Sequence, residues 1–252
     1  VIPARDEALT IASVLRSLSR QDRISACQVI VVDGTSSDDT AAVAGGFPFV
    51  QVVTCPPGRA AQLNFGARHA LAPVLWFLHA DSTFPDTRCV DSLLDALKDP
   101  GVAGGAFRFS LRGTDLYYRL VTMMVNLRSA VVKRVYGDQG VFVRTGIFRA
   151  LGGFRDIGFC EDVDLVLRLR KQGEFLVLPK VVETSARTWQ RYGKIRTTIF
   201  HLLELTRYEW RRRLGKLELP APEDTGVLPA PEPGGDSEIR ARSDAPATQS
   251  GN

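Results

Sequence analysis

Four times in the first hundred residues, an apolar run ends in a knot of polar residues and gives way to a segment of helical period. The apolar runs are Val1-Ile2, 28–32, 49–53 and 74–78, and the helical segments are 7–20, 38–44, 60–71 and 85–98. Alternation of this kind predicts an α/β chain with a mostly parallel central sheet and helices on both faces. Such sheets bind ligands beyond the carboxyl ends of their strands. The polar knots Arg5-Asp6-Glu7, Asp33-Gly34, Arg59 and His79-Ala80-Asp81 all fall there.

The second half follows a different rhythm. Phe107, Phe109 and Leu111 alternate with Arg108, Ser110 and Arg112, a strand with one buried face. A basic amphipathic helix is predicted over 115–135, a strand over 140–143, and helices over 145–151 and 161–172. Short strands over 175–178 and 180–183 and a helix over about 192–213 close the body. The domain reading is therefore one unit over 1–216, with halves 1–100 and 101–216. Residues 217–252 carry six of the fourteen prolines and few large apolar side chains, so this tail is predicted to be disordered.

The net charge of +4 conceals a division, because the tail has seven acids against two arginines and the body is therefore about +9. A basic body points to an anionic partner. No RRM, KH or helix-turn-helix pattern supports nucleic acid. The basic helices 115–135 and 192–213 carry aromatic and Met side chains, so peripheral contact with a membrane is an expectation beside core packing. No run of 18 apolar residues is present, and the four cysteines form no CxxC. The expected location is cytoplasmic, with the inner face of the membrane as its extension. The chain begins at Val1-Ile2 rather than at Met, which reads as the end of a first strand whose start is missing.

Neither GxGxxG nor GxxxxGK[ST] occurs, so a dinucleotide fingerprint and a P-loop are disfavoured. Asp81 follows a buried strand, and its carboxylate either holds a divalent cation on a diphosphate or caps the turn before Pro85. Asp33 either accepts from a nucleobase or ribose or serves an Asp-Gly turn. Glu161 and Asp162 open a helix, where acids suit the macrodipole or provide a general base. Asp164 and Arg168 form an i,i+4 structural pair. Arg187 either neutralises a departing phosphate or lies at the surface beside a packing Trp189. His79 contacts phosphate or metal, or ends its strand as a satisfied histidine; His69 and His201 receive no role.

In order along the chain, these pieces resemble family 2 glycosyltransferases of the GT-A fold. Pro3-Ala4-Arg5-Asp6-Glu7 resembles P-x-x-N-E, and Val31 to Thr40 resembles V-V-D-x-x-S-x-D-x-T. His79-Ala80-Asp81 holds the D-x-D place. Gly152-Gly153-Phe154 followed by Glu161-Asp162-Val163-Asp164-Leu165 and Arg168 resembles G-G-F … E-D-x-D-L-x-x-R, and Arg187-Thr188-Trp189 falls at a Q-x-x-R-W-type element. The segments Gly58–Gly66, Phe77–Asp81 and Gly137–Gly140 are similar to a bacterial subgroup of transferases linked to radical-SAM and selenium-related gene neighbourhoods.

The resemblance implies a nucleotide-binding half (1–100), an acceptor and catalytic half (101–216), and an inverting hexosyl transfer from a UDP- or GDP-linked sugar to a hydroxyl acceptor, which is a small molecule, a glycan or a lipid-linked group. Pro3, Ala4, Arg5 and Glu7 would line the nucleoside pocket and Asp33 would bind the base, with Arg59, Asn64, His79 and Ala80 also on the donor side. Asp81 would hold Mg²⁺ or Mn²⁺. Asp162, with Glu161 beside it, would deprotonate the acceptor. Asp138, Gln139, Arg187 and Trp189 would serve the acceptor and phosphate side. His79 departs from the D-x-D pattern, which motivates a rival expectation of a nucleotide-sugar-binding protein without transfer activity.

Overall fold

The computed structural model describes residues 1–215. The first half runs β1 (Ile2–Ala4), α1 (Ala8–Ser19), β2 (Val29–Asp33), α2 (Thr40–Gly45), β3 (Val50–Thr54), α3 (Arg59–His69), β4 (Val74–Trp76), β5 (Ser82–Thr83) and α4 (Cys89–Ala96). The second runs β6 (Val102–Leu111), α5 (Leu116–Val132), β7 (Phe142–Arg144), α6 (Thr145–Ala150), α7 (Glu161–Leu169), β8 (Glu174–Thr184), α8 (Arg187–Tyr192) and α9 (Lys194–Arg213).

Strands β1, β2 and β3 form a parallel ladder in that order, with Ile2 opposite Val31 and Ala4 opposite Asp33. A mixed ladder runs β4-β7-β6-β8-β5. Val1 joins the two: its nitrogen donates to the Trp76 carbonyl at 2.8 Å, and Leu78 N–H donates to the Val1 carbonyl at 3.0 Å. That bonding pattern is parallel, so the continuous order is β3-β2-β1-β4-β7-β6-β8-β5. The α/β class is the predicted one; of the predicted mostly parallel central sheet, β3-β2-β1 is parallel and β4-β7-β6-β8-β5 is mixed.

Every residue of β2 is buried, as a strand covered on both faces requires. Val29 and Val31 join a core with Ile11, Leu15 and Leu18 of α1, while Ile30 and Val32 join a core with Leu63 and Ala67 of α3. The period of two along the strand thus divides its side chains between two helical layers.

Several boundaries differ from the sequence reading. Strand β6 starts at Val102, because Gly104 and Gly105 let neighbouring backbones approach; a Cβ there would stand 2.4 Å from the Phe142 carbonyl oxygen or 2.5 Å from that of Leu176. The two short strands 175–178 and 180–183 are one strand, β8, whose register against β6 slips between Leu178 and Val181. Pro179, which has no N–H to give the ladder, sits in that slip. The predicted helix 192–213 is α9, and a short helix that the sequence reading lacks, α8, precedes it across Gly193 with φ +90°. The predicted disordered tail, 217–252, lies outside the described residues.

Candidate active site

The side on which the sequence reading expects the donor is built by two loops that hold each other. Asp6 adopts φ +54°, a left-handed turn that Asp tolerates better than most residues, and it swings Glu7 into the start of α1. Its Oδ1 accepts from Ser37 N–H at 2.7 Å, and its own N–H donates to Ser36 Oγ at 3.0 Å. Glu7 N–H donates to Thr40 Oγ1 at 2.7 Å, and Ala8 N–H to Asp38 Oδ2 at 3.1 Å. Asp33 accepts from both the hydroxyl and the N–H of Ser36. The Ser, Asp and Thr residues of these motifs therefore zip the ends of β1 and β2 together. Above them lies a cavity of about 270 Å³ lined by Pro3, Ala4, Arg5, Glu7, Arg59, Gln62, His79, Ala80 and Asp81.

A second cavity of about 250 Å³ opens on the other side of Arg59, His79 and Asp81. Tyr136, Asp138, Phe159, Asp162, Thr188, Trp189 and His201 are among its walls. The three shared residues form a seam between the two cavities, the first the expected donor lobe and the second the expected acceptor lobe. Arg59 spans the seam: Nε lies 2.9 Å from Glu161 Oε1, and Nη2 lies 3.3 Å from Asp162 Oδ2 and 2.7 Å from His79 Nε2. Burial, followed by the Arg59 charge, holds the His79 pKa well below the usual imidazole value. His79 is therefore neutral near pH 7 and accepts through Nε2. This explains a histidine at the D-x-D place: it steadies the arginine, as an aspartate would, without adding a third acid.

Gly137 makes the convergence possible. A Cβ there would stand 2.7 Å from Arg59 Nη2, 2.9 Å from His79 Nε2 and 3.0 Å from Asp162 Oδ2. Gly137 N–H instead donates to Asp162 Oδ2 at 2.6 Å. Asp162 is presented by Cys160, which takes φ +65° immediately before α7, an uncommon conformation for a non-glycine residue. Arg168 secures the same helix by bonding Asp164 at 2.7 Å and the carbonyls of Leu151 and Gly153 at 2.8 Å each.

The acids of the acceptor lobe are under electrostatic load. Burial, then the Asp162 charge, raises the Asp138 carboxyl to about 7, and its Oδ1 is buried without a hydrogen-bond partner among the described residues. Burial and Asp162 also raise Glu161. Burial opposes the charge on Arg59, but Asp162 and Glu161 keep its pKa raised. Asp81 is raised to about 6 by burial and then by Glu7. Glu7 itself accepts from Thr10 Oγ1 at 2.6 Å and pairs with Arg187 at 2.7 Å, which ties α8 to the donor side.

The structure thus brings together Pro3, Ala4, Arg5, Glu7, Arg59, His79, Ala80, Asp81, Asp138, Asp162 and Trp189 around one divided cleft. Arg187 and Glu161 reach it through Glu7 and Arg59. Asp33 lies one strand away, as the register partner of Ala4. Two expected residues are structural instead. Asn64 is buried with its amide paired to both backbone groups of Phe154 at 2.8 and 2.9 Å, so it braces the Gly152-Gly153-Phe154 turn rather than facing donor. Gln139 is buried and bridges the Phe107 carbonyl to Ser129 Oγ at 2.9 Å each, rather than facing acceptor. The sequence reading missed Gln62, Tyr136, Thr188 and His201. A glutamine among the small residues at the start of α3 was a usable signal for Gln62, which bonds the carbonyls of Ala4 and Val32. His201 gave none, because its helical period is that of any core-facing residue.

Among the described residues, no cluster of three His, Cys, Asp or Glu side chains is placed to hold a metal. Asp81 nonetheless fits a hard divalent cation carried mainly by phosphate oxygens. It is a carboxylate at the seam, raised by burial and a neighbouring acid, and a cation would relieve both.

Comparison with known proteins follows this geometry. The chain is 25% identical over 226 residues to the probable glycosyltransferase YdaM of Bacillus subtilis, covering 78% of this chain and 53% of YdaM. It therefore spans about half the length of that relative. Its fold is similar to the mannosyltransferase PcManGT of Pyrobaculum calidifontis, solved with GDP-Man and Mn²⁺, with TM-score 0.59, 22% identity and coverage of 72% of this chain and 55% of that one. It is also similar to TarS 1–349 of S. aureus, solved with UDP, with TM-score 0.59, 17% identity and coverage of 73% and 59%. The glycosyl transferase family 2 sequence model matches residues 1–152, the stretch that contains both zipped loops, the Arg59 helix and the His79-Ala80-Asp81 turn, and so the chain belongs to glycosyl transferase family 2.

Proposed function

We propose that the chain transfers a sugar from a UDP- or GDP-linked donor to a hydroxyl acceptor, with inversion at the anomeric carbon. One observation carries this reading: a single seam, Arg59, His79 and Asp81, divides a lobe at the strand ends from a lobe lined by buried acids. The nucleoside would occupy the donor lobe, and its diphosphate would lie against the seam. A divalent cation held by Asp81 would neutralise the departing diphosphate. Arg59 is already in the cleft to face the charge that builds on the leaving group. As its guanidinium turns toward that charge, it leaves Asp162 Oδ2 free to face the acceptor hydroxyl. Asp162 Oδ2 then takes the acceptor proton on the face opposite the leaving group. The nucleotide complexes of PcManGT and TarS support the donor class, and the Mn²⁺ of PcManGT supports the cation.

A second reading, nucleotide-sugar binding without transfer, draws on the closure of Arg59 onto Asp162. Calorimetric titration with UDP and with GDP, each with and without Mn²⁺, tests both readings; heat with neither nucleotide overturns them. Slow donor hydrolysis that needs Asp162 then selects the transferase.

A further inference from the structure

We propose that α5 and α9 dock this protein on an anionic lipid bilayer, so that the acceptor lobe takes its acceptor from the membrane surface as the polar head of an amphiphile. The docking surface stands on the two helices alone, whereas the acceptor class rests on the transfer reaction proposed above.

Helix α5 is apolar on the side that faces water. Leu116, Leu120, Met123, Leu127 and Val131 recur at i, i+4, i+7, i+11 and i+15 and are 47–79% exposed. Its other face, with Tyr118, Val121 and Val125, packs against Phe109 and Trp189. Helix α9 repeats those offsets with Ile195, Ile199, Leu202, Thr206 and Trp210, and the four apolar members are 50–69% exposed. The helices run side by side in the same direction. Near their starts Tyr117 Oη donates to the Lys194 carbonyl at 3.0 Å and to Thr198 Oγ1 at 2.7 Å; near the other end Arg134, just past α5, pairs with Glu209 at 3.1 Å. Two parallel stripes of this extent exceed what a soluble surface ordinarily leaves to water.

Charge selects the occupant. Asp115, which precedes α5, pairs with Lys194, and no acid lies between Leu116 and Arg134, which include Arg119, Arg128, Lys133 and Arg134. Helix α9 carries Lys194, Arg196, Arg207 and Arg211-Arg212-Arg213 against Glu204 and Glu209, which pair with Arg207, Arg212 and Arg134, so both helices stay net positive. A second copy would bring like charge to this face. Residues 217–252 would bring acids but few large apolar side chains. An anionic bilayer answers both features, with lipid head groups for the cations and acyl chains for the stripes. The acceptor lobe opens beside this face: Phe159 in its wall meets half-exposed Phe200 of α9 edge-on at 6.0 Å, and His201 is also part of the wall.

Flotation of the full chain with phosphatidylcholine vesicles, with and without phosphatidylglycerol, tests the surface. Co-flotation is expected on the anionic vesicles and should weaken as salt is raised. The double variants Leu120→Ser with Leu127→Ser, and Leu202→Ser with Trp210→Ser, change exposed positions; each should cut the bound fraction roughly tenfold while nucleotide titration stays as in the parent. Absence from anionic vesicles, or variants that float as well as the parent, overturns the proposal. So does a dimer in sedimentation that the same variants dissociate. Flotation that persists where neither UDP nor GDP binds removes the acceptor class and leaves the docking surface.

Discussion

The two lobes of the cleft use acidic residues in opposite ways. On the donor side Asp6, Asp33 and Asp38 each accept hydrogen bonds from nearby N–H and hydroxyl groups of the paired loops, and their charges are spent on structure. On the acceptor side Glu161, Asp162 and Asp138 are drawn into one buried neighbourhood, and Glu161 and Asp162 share the guanidinium of Arg59. Satisfied acids give a rigid, preformed rim; at Asp138 and Glu161 burial and a neighbouring acid raise the carboxyl pKa. The two lobes thus differ in hydrogen-bond supply rather than in residue type.

The sharpest way to break that comparison is Asp162→Asn. It keeps shape but removes the base, so release of UDP or GDP from donor should fall by roughly 10²–10⁴-fold. Calorimetric donor affinity should stay within a few-fold of the parent. A large loss of affinity instead would place Asp162 on the donor side and dissolve the division. Next comes Gly137→Ala, whose methyl must displace Arg59, His79 or Asp162 from contacts of 2.7–3.0 Å. A displacement approaching 1 Å costs about 10²-fold in rate. Turnover should drop by that order, while the melting temperature changes little. Unchanged turnover would show that the three groups need not converge.

How legible each lobe was in the sequence follows from the same contrast. The donor lobe comes from turns directly after strands, so Asp6, Asp33 and Asp38 could be placed from local pattern. The acceptor lobe gathers Arg59, Gly137, Glu161-Asp162, Trp189 and His201 from α3, a short turn, α7, α8 and α9, and no local period records which helix ends meet. Asn64 shows the cost of reading by neighbourhood. It lies close to Arg59 in sequence but on the buried side of α3, where its partner is Phe154, ninety residues away. Strands β6 and β8 outrun the predicted segments because Gly104 and Gly105 allow close packing and Pro179 sits in a register slip, neither of which leaves an alternation in the sequence.

A smaller effect tests the crowding itself. Asp138 has its carboxyl raised to about 7 in the fold, against about 4 in an unfolded chain. The folded state therefore holds the proton more tightly. The resulting stability is complete below about pH 4 and is lost as pH rises toward 7. Asp138→Asn, which cannot ionise, should be the more stable protein at pH 8 by a few kcal/mol in denaturant unfolding, with the gap closing as pH falls to about 4. A gap independent of pH would mean that Asp138 is not the loaded group.

The smallest effect is expected where the lobes are strapped together. Arg187 pairs with Glu7 at 2.7 Å, but its side chain is 44% exposed, and a pair so open to water contributes less than about 1 kcal/mol. Arg187→Gln should therefore leave the unfolding midpoint almost unmoved. The Arg187 charge also pulls down the Asp81 carboxyl, against the larger upward push of burial and Glu7. Removing it takes a cation from the place where a diphosphate would lie, so nucleoside diphosphate affinity should weaken by about tenfold. If stability falls while affinity holds, Arg187 is a strap between the halves. If affinity falls while stability holds, the strap is the resting position of a residue whose partner is the donor's phosphate, and the donor lobe then contains one charge that is not spent on structure.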